Sequence, residues 1–364
     1  MIPIWKKNLD SRYISKLIKD SLKNKYISEG NLTLILEKEI SKILKVKYVS
    51  MVSSGTTALL TAMLAIGLKR NDTIIIPERA WISLLNAAAI LGLKIKTIDV
   101  KKEKPVLDEN IFSNLKIKAK AIVVVHMGGR ATEMDQIIKI AKKKNIKVIE
   151  DAAQAFGSKY KKKNLGTISE IGCFSLSMAK TITSGQGGFL VTNKLALYNK
   201  IEKIKNNGLD NVMEVEKWGD LGLNFKYTDF ISCITSSELK KYKSYIKDMI
   251  SLYKVYKKNI IKNNNLYILK VDTQIGEVPQ YIEIICKNRK KFMKFMEKKN
   301  IKCREFYPSM SLSKYTMLSK EKFLKDTLFS KHGVFLPSGP HQKVSDIKKV
   351  IKCINIFITT NYLN

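Results

Sequence analysis

Through the first two-thirds of the chain, short, largely apolar runs alternate with stretches whose apolar residues recur every three or four positions. TIIIP (73–77), KIKTIDV (94–100), KAIVVVH (120–126) and IKVIED (146–151) are the short runs. A run apolar on both faces predicts a strand covered on each side by helices. The stretches between them, residues 56–68, 81–91 and 134–144, carry the spacing of amphipathic helices. This order predicts βαβ units and a largely parallel, doubly wound sheet. IGCFSLS (171–177) and GFLVTN (188–193) add two strands to it.

The rhythm changes after Thr228. A long helical stretch (229–261) is followed by a strand candidate YIEIICK (281–287), a helix RKKFMKFMEKK (289–299), a short strand and a terminal helix over 344–357. The pattern predicts a large domain over 1–228 and a smaller α+β C-terminal domain over 229–364. No Gly/Ser-rich linker joins them, so they are expected to pack tightly. There is no repeat of solenoid period.

Composition agrees with a packed globular protein: 364 residues, 45% hydrophobic, with 18 Gly and 7 Pro. The charge pulls the other way. A net +34 suggests nucleic acid at first sight. Only six of the 66 basic residues are Arg, however, and the lysines are spread through every segment. A nucleic-acid surface leans on Arg for bidentate and stacking contacts, so the excess reads as a lysine-rich surface and no nucleic-acid partner is expected. No apolar run reaches the roughly 18 to 20 residues of a membrane span, and the first residues lack a signal core. Five scattered Cys and three scattered His predict neither a disulfide framework nor a metal site. The expected setting is the cytoplasm.

Four segments carry unusual polar residues. SSGTTALLTAML (53–64) places hydroxyls and free amides at a helix N-terminus, which serves simple capping or binds a phosphate. VIEDAAQAFGS (148–158) ends an apolar strand with Glu150 and Asp151; a carboxylate there caps the next helix or meets a cationic ligand atom. CFSLSMAKTITSGQGGFLVTN (173–193) delivers Ser175 and then Lys180 just before a Gly-rich turn. Burial at such a place lowers a lysine pKa and makes the amine a nucleophile for a carbonyl. GDLGLNFKYTDF (219–230) reads as an irregular loop. A phosphate-binding helix end, a strand-end carboxylate and a lysine are the set that pyridoxal phosphate needs. Trp81, after the strand at 73–77, either stacks on that ring or packs in the core.

The motifs in order are YISEG (26–30), SSGTTAL (53–59), ERAWISLLNA (78–87), VVHMGGRATEMDQI (124–137), VIEDAAQAFGSKYKKKNLGTISEIGCFS (148–175), KTITSGQGGFLVTN (180–193), GLNFKYTDF (222–230) and VFLPSG (334–339). On these the chain resembles the DegT/DnrJ/EryC1/StrS aminotransferases, pyridoxal-phosphate enzymes of amino-sugar biosynthesis with the aspartate aminotransferase-like fold (fold type I). The resemblance implies that Lys180 forms the Schiff base with the cofactor and then shuttles the proton. It implies Asp151 on the pyridine nitrogen, Gln154 near the phenolic oxygen, and Gly55, Thr56 and Ser175 on the phosphate. Trp81 would lie on the ring, and Asn224 would reach a phosphate across a dimer interface, which implies a homodimer with shared active sites. Lysine rather than histidine at 180 implies transamination rather than dehydration.

The chain departs from the family at Arg79, Ala80, Gln186 and Lys226. Arg79 and Lys226 could meet a phosphate or diphosphate, or lie on a solvated surface. Arg304, Tyr307 and Ser309 fall where the small domain approaches the sugar nucleotide in the family, and His126 is expected to be structural. The resemblance implies an L-glutamate amino donor and a nucleotide-linked 4-keto-6-deoxysugar acceptor, for surface glycan synthesis. A 3-keto sugar, a cyclitol ketone or a small phosphorylated ketone is the alternative acceptor. The remaining reading is a catalytically inactive basic binding protein on this scaffold.

Overall fold

The computed structural model describes residues 1–23, 28–210, 219–314 and 323–363. Two helices, α1 (Ser11–Lys23) and α2 (Asn31–Leu44), precede a seven-stranded sheet. The chain then runs β1 (Tyr48–Val52), α3 (Gly55–Ala65), β2 (Thr73–Pro77), α4 (Ile82–Ile90), β3 (Lys94–Ile98), α5 (Glu109–Asn114), β4 (Ala121–Val125), α6 (Met134–Lys143) and β5 (Lys147–Asp151). A small hairpin, β6 (Lys159–Tyr160) and β7 (Lys163–Asn164), leads to β8 (Ile171–Ser175), β9 (Gly188–Thr192) and α7 (Leu195–Lys205).

The sheet order is β1-β9-β8-β5-β4-β2-β3, and β9 alone runs against its neighbours. The apolar runs are therefore strands as their patterning predicts. Successive residues serve opposite faces: Ile75, Ile122 and Val124 pack with α2 and α6, whereas Ile74, Ile76, Val123 and Ile149 pack with α3, α4 and α7. Burial on both faces is why neither strands nor helix α3 alternate polar with apolar. The sequence reading missed β1, because YVSMV carries a serine in its middle and lies at the sheet edge.

The C-terminal part contains α8 (Asp229–Lys240), α9 (Tyr242–Asn259), β10 (Leu266–Ile268), β11 (Ile282–Cys286), α10 (Arg289–Lys298), β12 (Arg304–Glu305), α11 (Leu324–His332), β13 (Gly333–Leu336) and α12 (Val344–Ile358). Its four strands form an antiparallel sheet in the order β10-β11-β13-β12.

Contacts cross the expected boundary at 228/229. Helix α8 packs on α1 and α2, and its Leu239 lies in the core of the large unit. Its first residue, Asp229, caps α2 from a distance: the carboxylate accepts the amides of Gly30 (3.0 Å), Leu32 (3.1 Å) and Thr33 (2.9 Å). Helix α8 thus packs against the large unit. At the other end, Ile2 and Trp5 bridge the small unit at Ile301 and Ser338. Neither contact is visible in periodicity, because both are long-range. Among the described residues no helix is long and apolar enough to cross a membrane.

Candidate active site

The parallel strands end on one side of the sheet, and three of those ends carry the polar segments singled out above. Helix α3 begins there with a reciprocal capping box. Ser54 Oγ accepts the Thr57 amide at 3.1 Å, and Thr57 Oγ1 accepts the Ser54 amide at 2.9 Å. That box uses up Ser54 and Thr57. The Gly55 and Thr56 amides are first-turn donors with no intrahelical partner, so they can face an anion. Glycine is required here by close approach. A Cβ on Gly55 would lie 2.9 Å from the Ser175 Cβ, and one on Gly188 would lie 2.5 Å from the Ser54 carbonyl.

At the end of β5, adjacent carboxylates point to opposite faces. Glu150 is fully buried and saturated, accepting the amides of Gly166 (2.7 Å), Ile168 (2.8 Å) and Ser169 (2.6 Å) and bonding His126 Nε2 at 3.0 Å. Burial pushes its pKa up, but His126 and the amides outweigh that and hold it below the ordinary value. Among the described residues Asp151 accepts only the Ala153 amide, at 3.0 Å, and its carboxylate borders a cleft of about 370 Å³. Burial raises its pKa, opposed by the Ala153 amide, Lys180 and His126. A half-satisfied carboxylate of this kind gains from a cationic partner on the cleft side.

Lys180 lies in the loop that turns β8 back into antiparallel β9. The loop is pinned on itself: the Leu176 amide donates to the Gly187 carbonyl (2.8 Å), and the Ser184 amide to the Leu176 carbonyl (2.9 Å). Gly185 and Gly187 take positive φ (83° and 154°). Gly187 also leaves room for Tyr227, whose ring a Cβ would approach to 2.8 Å. Burial lowers the Lys180 pKa to about 8; Asp151 acts against this and Arg304 with it.

Gly55, Thr56, Trp81, Asp151, Gln154, Ser175 and Lys180 all line this one cleft, together with Arg304 and Tyr307 from the small unit. Gln154 is fixed from two sides: its Oε1 accepts the Gly128 amide (2.9 Å) and its Nε2 donates to the Tyr307 hydroxyl (3.0 Å). Trp81 is 49% exposed toward the cleft and meets Tyr307 edge-on, with ring centroids 5.1 Å apart. The core-packing alternative for Trp81 does not hold. Arg304 sits over the Phe335 ring at 4.7 Å. The residues present fit pyridoxal phosphate: an anion cradle with no room for a Cβ at Gly55, an under-satisfied buried carboxylate and an amine whose pKa burial lowers to about 8.

Three expected residues lie elsewhere. Arg79 is 1% exposed; Nε and Nη2 donate to Asp326 (2.6 and 2.7 Å), and Nη1 to the Tyr307 carbonyl (2.6 Å). It lies on no solvated surface and does not line the cleft: the charge is spent on a carboxylate 247 residues away. Lys226 Nζ donates to Asn206 Oδ1 at 3.1 Å, outside the cleft. Asn224 bridges Asn206 through its backbone and is exposed, also away from the cleft of its own chain. Ser309 bonds Asp326, and His126 is buried on Glu150, as expected of a structural histidine. Tyr26 and Ile27 of YISEG lie outside the described residues. Sequence reading missed Ser83, Ser177 and Tyr281 as lining residues. Ser177 could have been found, being two positions beyond Ser175 on an extended chain; nothing local marks Tyr281.

The sequence model of the DegT/DnrJ/EryC1/StrS aminotransferase family matches residues 9–355. The chain is 31% identical over 366 residues to the GDP-perosamine synthase of Escherichia coli O157:H7, spanning 98% of both proteins. It is 30% identical over 278 residues to the UDP-4-amino-4,6-dideoxy-N-acetyl-beta-L-altrosamine transaminase of Campylobacter jejuni subsp. jejuni serotype O:23/36, covering 74% of this chain and 73% of the other. Among solved structures, DesV of S. venezuelae, in complex with a ketimine intermediate, has a TM-score of 0.91 at 20% identity over 98% of each chain. At that identity the likeness concerns the fold.

Proposed function

This chain belongs to the DegT/DnrJ/EryC1/StrS aminotransferase family and is a pyridoxal-phosphate-dependent transaminase of fold type I, and on that premise we propose that it aminates the keto group of a nucleotide-linked deoxysugar, favouring a 4-keto-6-deoxysugar, with L-glutamate as donor and surface glycan synthesis as its setting. The observation that carries the reading is the convergence of Lys180 and Asp151 on one cleft beneath the α3 N-terminus. The relatives named above supply the nucleotide-sugar acceptor.

When bound, pyridoxal phosphate supplies an electron sink for the carbanion formed as an amino group is moved. The protein does the rest. The Gly55 and Thr56 amides and the Ser175 hydroxyl would bind the phosphate, helped by the helix dipole. Asp151 would hold a proton on the pyridine nitrogen, and that cation would in turn keep the carboxylate ionised against its burial. Lys180, neutral above about pH 8 where an exposed lysine is still charged, would attack a carbonyl carbon and later take the proton from the α-carbon of the amino donor. Gln154, fixed by the Gly128 amide and Tyr307, would orient the phenolic oxygen, with Trp81 against the ring. Arg304 would meet an anionic group of the donor or acceptor.

Asn224 and Lys226 would then act across a homodimer, on the cleft of the second copy. The free cysteines fit a reducing cytoplasm. Purified protein should take up pyridoxal phosphate with a visible absorbance that changes on adding glutamate, and Lys180→Ala should lose the change. A panel of GDP-, UDP- and TDP-linked keto sugars beside small keto-phosphates tests the acceptor. Amination confined to the keto-phosphates would sink the sugar reading. Sedimentation at working concentration tests the dimer; a monomer with full activity would exclude shared sites.

A further inference from the structure

The backbone that carries Lys180 is held by a side chain 173 positions earlier. The Lys7 ammonium donates to the carbonyl oxygens of Lys180 (3.2 Å) and Thr181 (2.6 Å), and it is ion-paired with Glu238 of α8. Both members of the pair are 2% exposed. The ammonium thus has three oxygens around it, two carbonyls that it donates to and the Glu238 carboxylate that balances its charge. Tyr245 completes the surroundings. Its hydroxyl donates to Glu238 Oε1 at 3.0 Å, and its ring lies under the ammonium, 4.7 Å from centroid to nitrogen. The preceding carbonyl, of Ala179, is held from the small unit by Gln280 Nε2 (2.7 Å) and the Tyr281 hydroxyl (3.2 Å). Consecutive peptide planes around Lys180 are thus fixed by partners distant in sequence.

We propose that Lys7 is a positioning residue for Lys180: resting on the transaminase reading above, it sets the direction of the Lys180 side chain by gripping the two carbonyls that follow its Cα. The first eight residues are anchored for that purpose. The Ser338 amide donates to the Ile4 carbonyl (2.7 Å) and the Lys6 amide to the Ser338 carbonyl (3.2 Å), so the arm enters the site as an edge of the small sheet. A planar guanidinium cannot supply three donors from one point, so arginine does not replace this lysine. A buried cation is costly unless its partners are kept. The arm therefore docks in one register, and that register reaches Lys180 directly. A misplacement of about 1 Å in a reacting group is enough to cost on the order of a hundredfold in rate.

The test uses three versions of the full chain: wild type, Lys7→Met, and the double variant Lys7→Met with Glu238→Gln. The double variant removes the ion pair without leaving a buried carboxylate alone, so it separates stability from positioning. Two readouts are taken. One is the single-turnover rate with glutamate in the loaded enzyme. The other is the pH dependence of Lys180 acylation in cofactor-free protein, followed by peptide mass spectrometry. Lys7→Met should lower the melting temperature, and the double variant should recover most of it. Both should lose about tenfold to a hundredfold in rate. In both, the Lys180 midpoint should rise from near 8 toward the ordinary lysine value, because the loosened turn exposes an amine whose pKa burial lowers. A double variant with wild-type rate and an unmoved Lys180 midpoint would overturn the proposal and leave Lys7 as a partner of Glu238 only. The cofactor-free titration reads Lys7 even if Lys180 proves not to take the cofactor, so failure of the transaminase role and failure of this inference are told apart.

Discussion

The two walls of the cleft are built differently. The sheet-side wall comes from consecutive strand ends: Ser54–Thr56 after β1, Asp151 after β4's neighbour β5, and Ser175 with Lys180 after β8. Each of these residues is placed by the strand or helix it ends. The facing wall, with Arg304, Tyr307 and Tyr281, comes from the small unit and is held by buried ion pairs that span the chain. Arg79–Asp326 links β2's end to α11, and Arg130–Glu283 links β4's end to β11. A strand end tolerates change in its neighbours, whereas a buried pair fails when either partner is lost. The first wall should therefore lose chemistry when mutated, and the second should lose placement.

The largest effect should follow from Asp151→Ala in the sheet-side wall. Single-turnover rates with glutamate should fall by at least about a thousandfold, the upper scale for one preorganised electrostatic partner, while thermal stability changes little or rises, since an under-satisfied buried carboxylate is removed. A variant that loses folding instead would erase the contrast between the walls.

Asp326→Ala attacks the other wall. It leaves the Arg79 guanidinium buried without its carboxylate, a cost of about 3–5 kcal/mol by denaturant unfolding. Activity of the folded fraction should show a raised KM for the acceptor and a smaller change in kcat, because the Tyr307 carbonyl loses the register that Arg79 shares with Asp326. A drop in kcat alone would mean that this pair serves the chemistry.

The third effect is a pH dependence. In cofactor-free protein Lys180 should titrate near pH 8, and Asp151→Asn should move that midpoint lower, because the carboxylate favours the charged amine. The linkage sign follows. An unfolded lysine binds its proton below about pH 10.5, and the folded one only below about 8. Between those values the unfolded chain binds more protons, so the stability contributed by Lys180 rises with pH across that window. A midpoint unmoved by Asp151→Asn would break the coupling of the two residues.

The smallest effect is expected for Trp81→Leu, which removes an edge-on contact with Tyr307 worth about 0.5–1.5 kcal/mol. Cofactor affinity, by absorbance titration, should weaken by no more than about tenfold.

Most of the sheet-side wall was legible in sequence. A strand apolar at each position and ending in Glu-Asp, or a helix beginning Ser-Gly-Thr-Thr, announces its place because the structure there is local. Asp151, Ser175, Gly55 and Lys180 could be named on that ground. Arg304 and Tyr307 could be named only through the family resemblance. Neither expectation for Arg79, a phosphate contact or a solvated surface, includes its buried pairing, because its partner, Asp326, has no local signature. Lys7 was one lysine among sixty, and nothing near it points to residue 180.

What the sequence by itself determined is the periodic part: a doubly wound sheet, the order of its strands along the chain, and the polar residues at their ends. Those follow from burial on one or both faces, which each segment carries in its own pattern. Tertiary structure alone decided which charges are spent on one another, that α8 packs with the large unit, and that Ile2 and Trp5 bridge the small unit. The physical reason is that an ion pair or a distant helix cap becomes favourable only when folding removes water from both partners at once. No single segment holds that information.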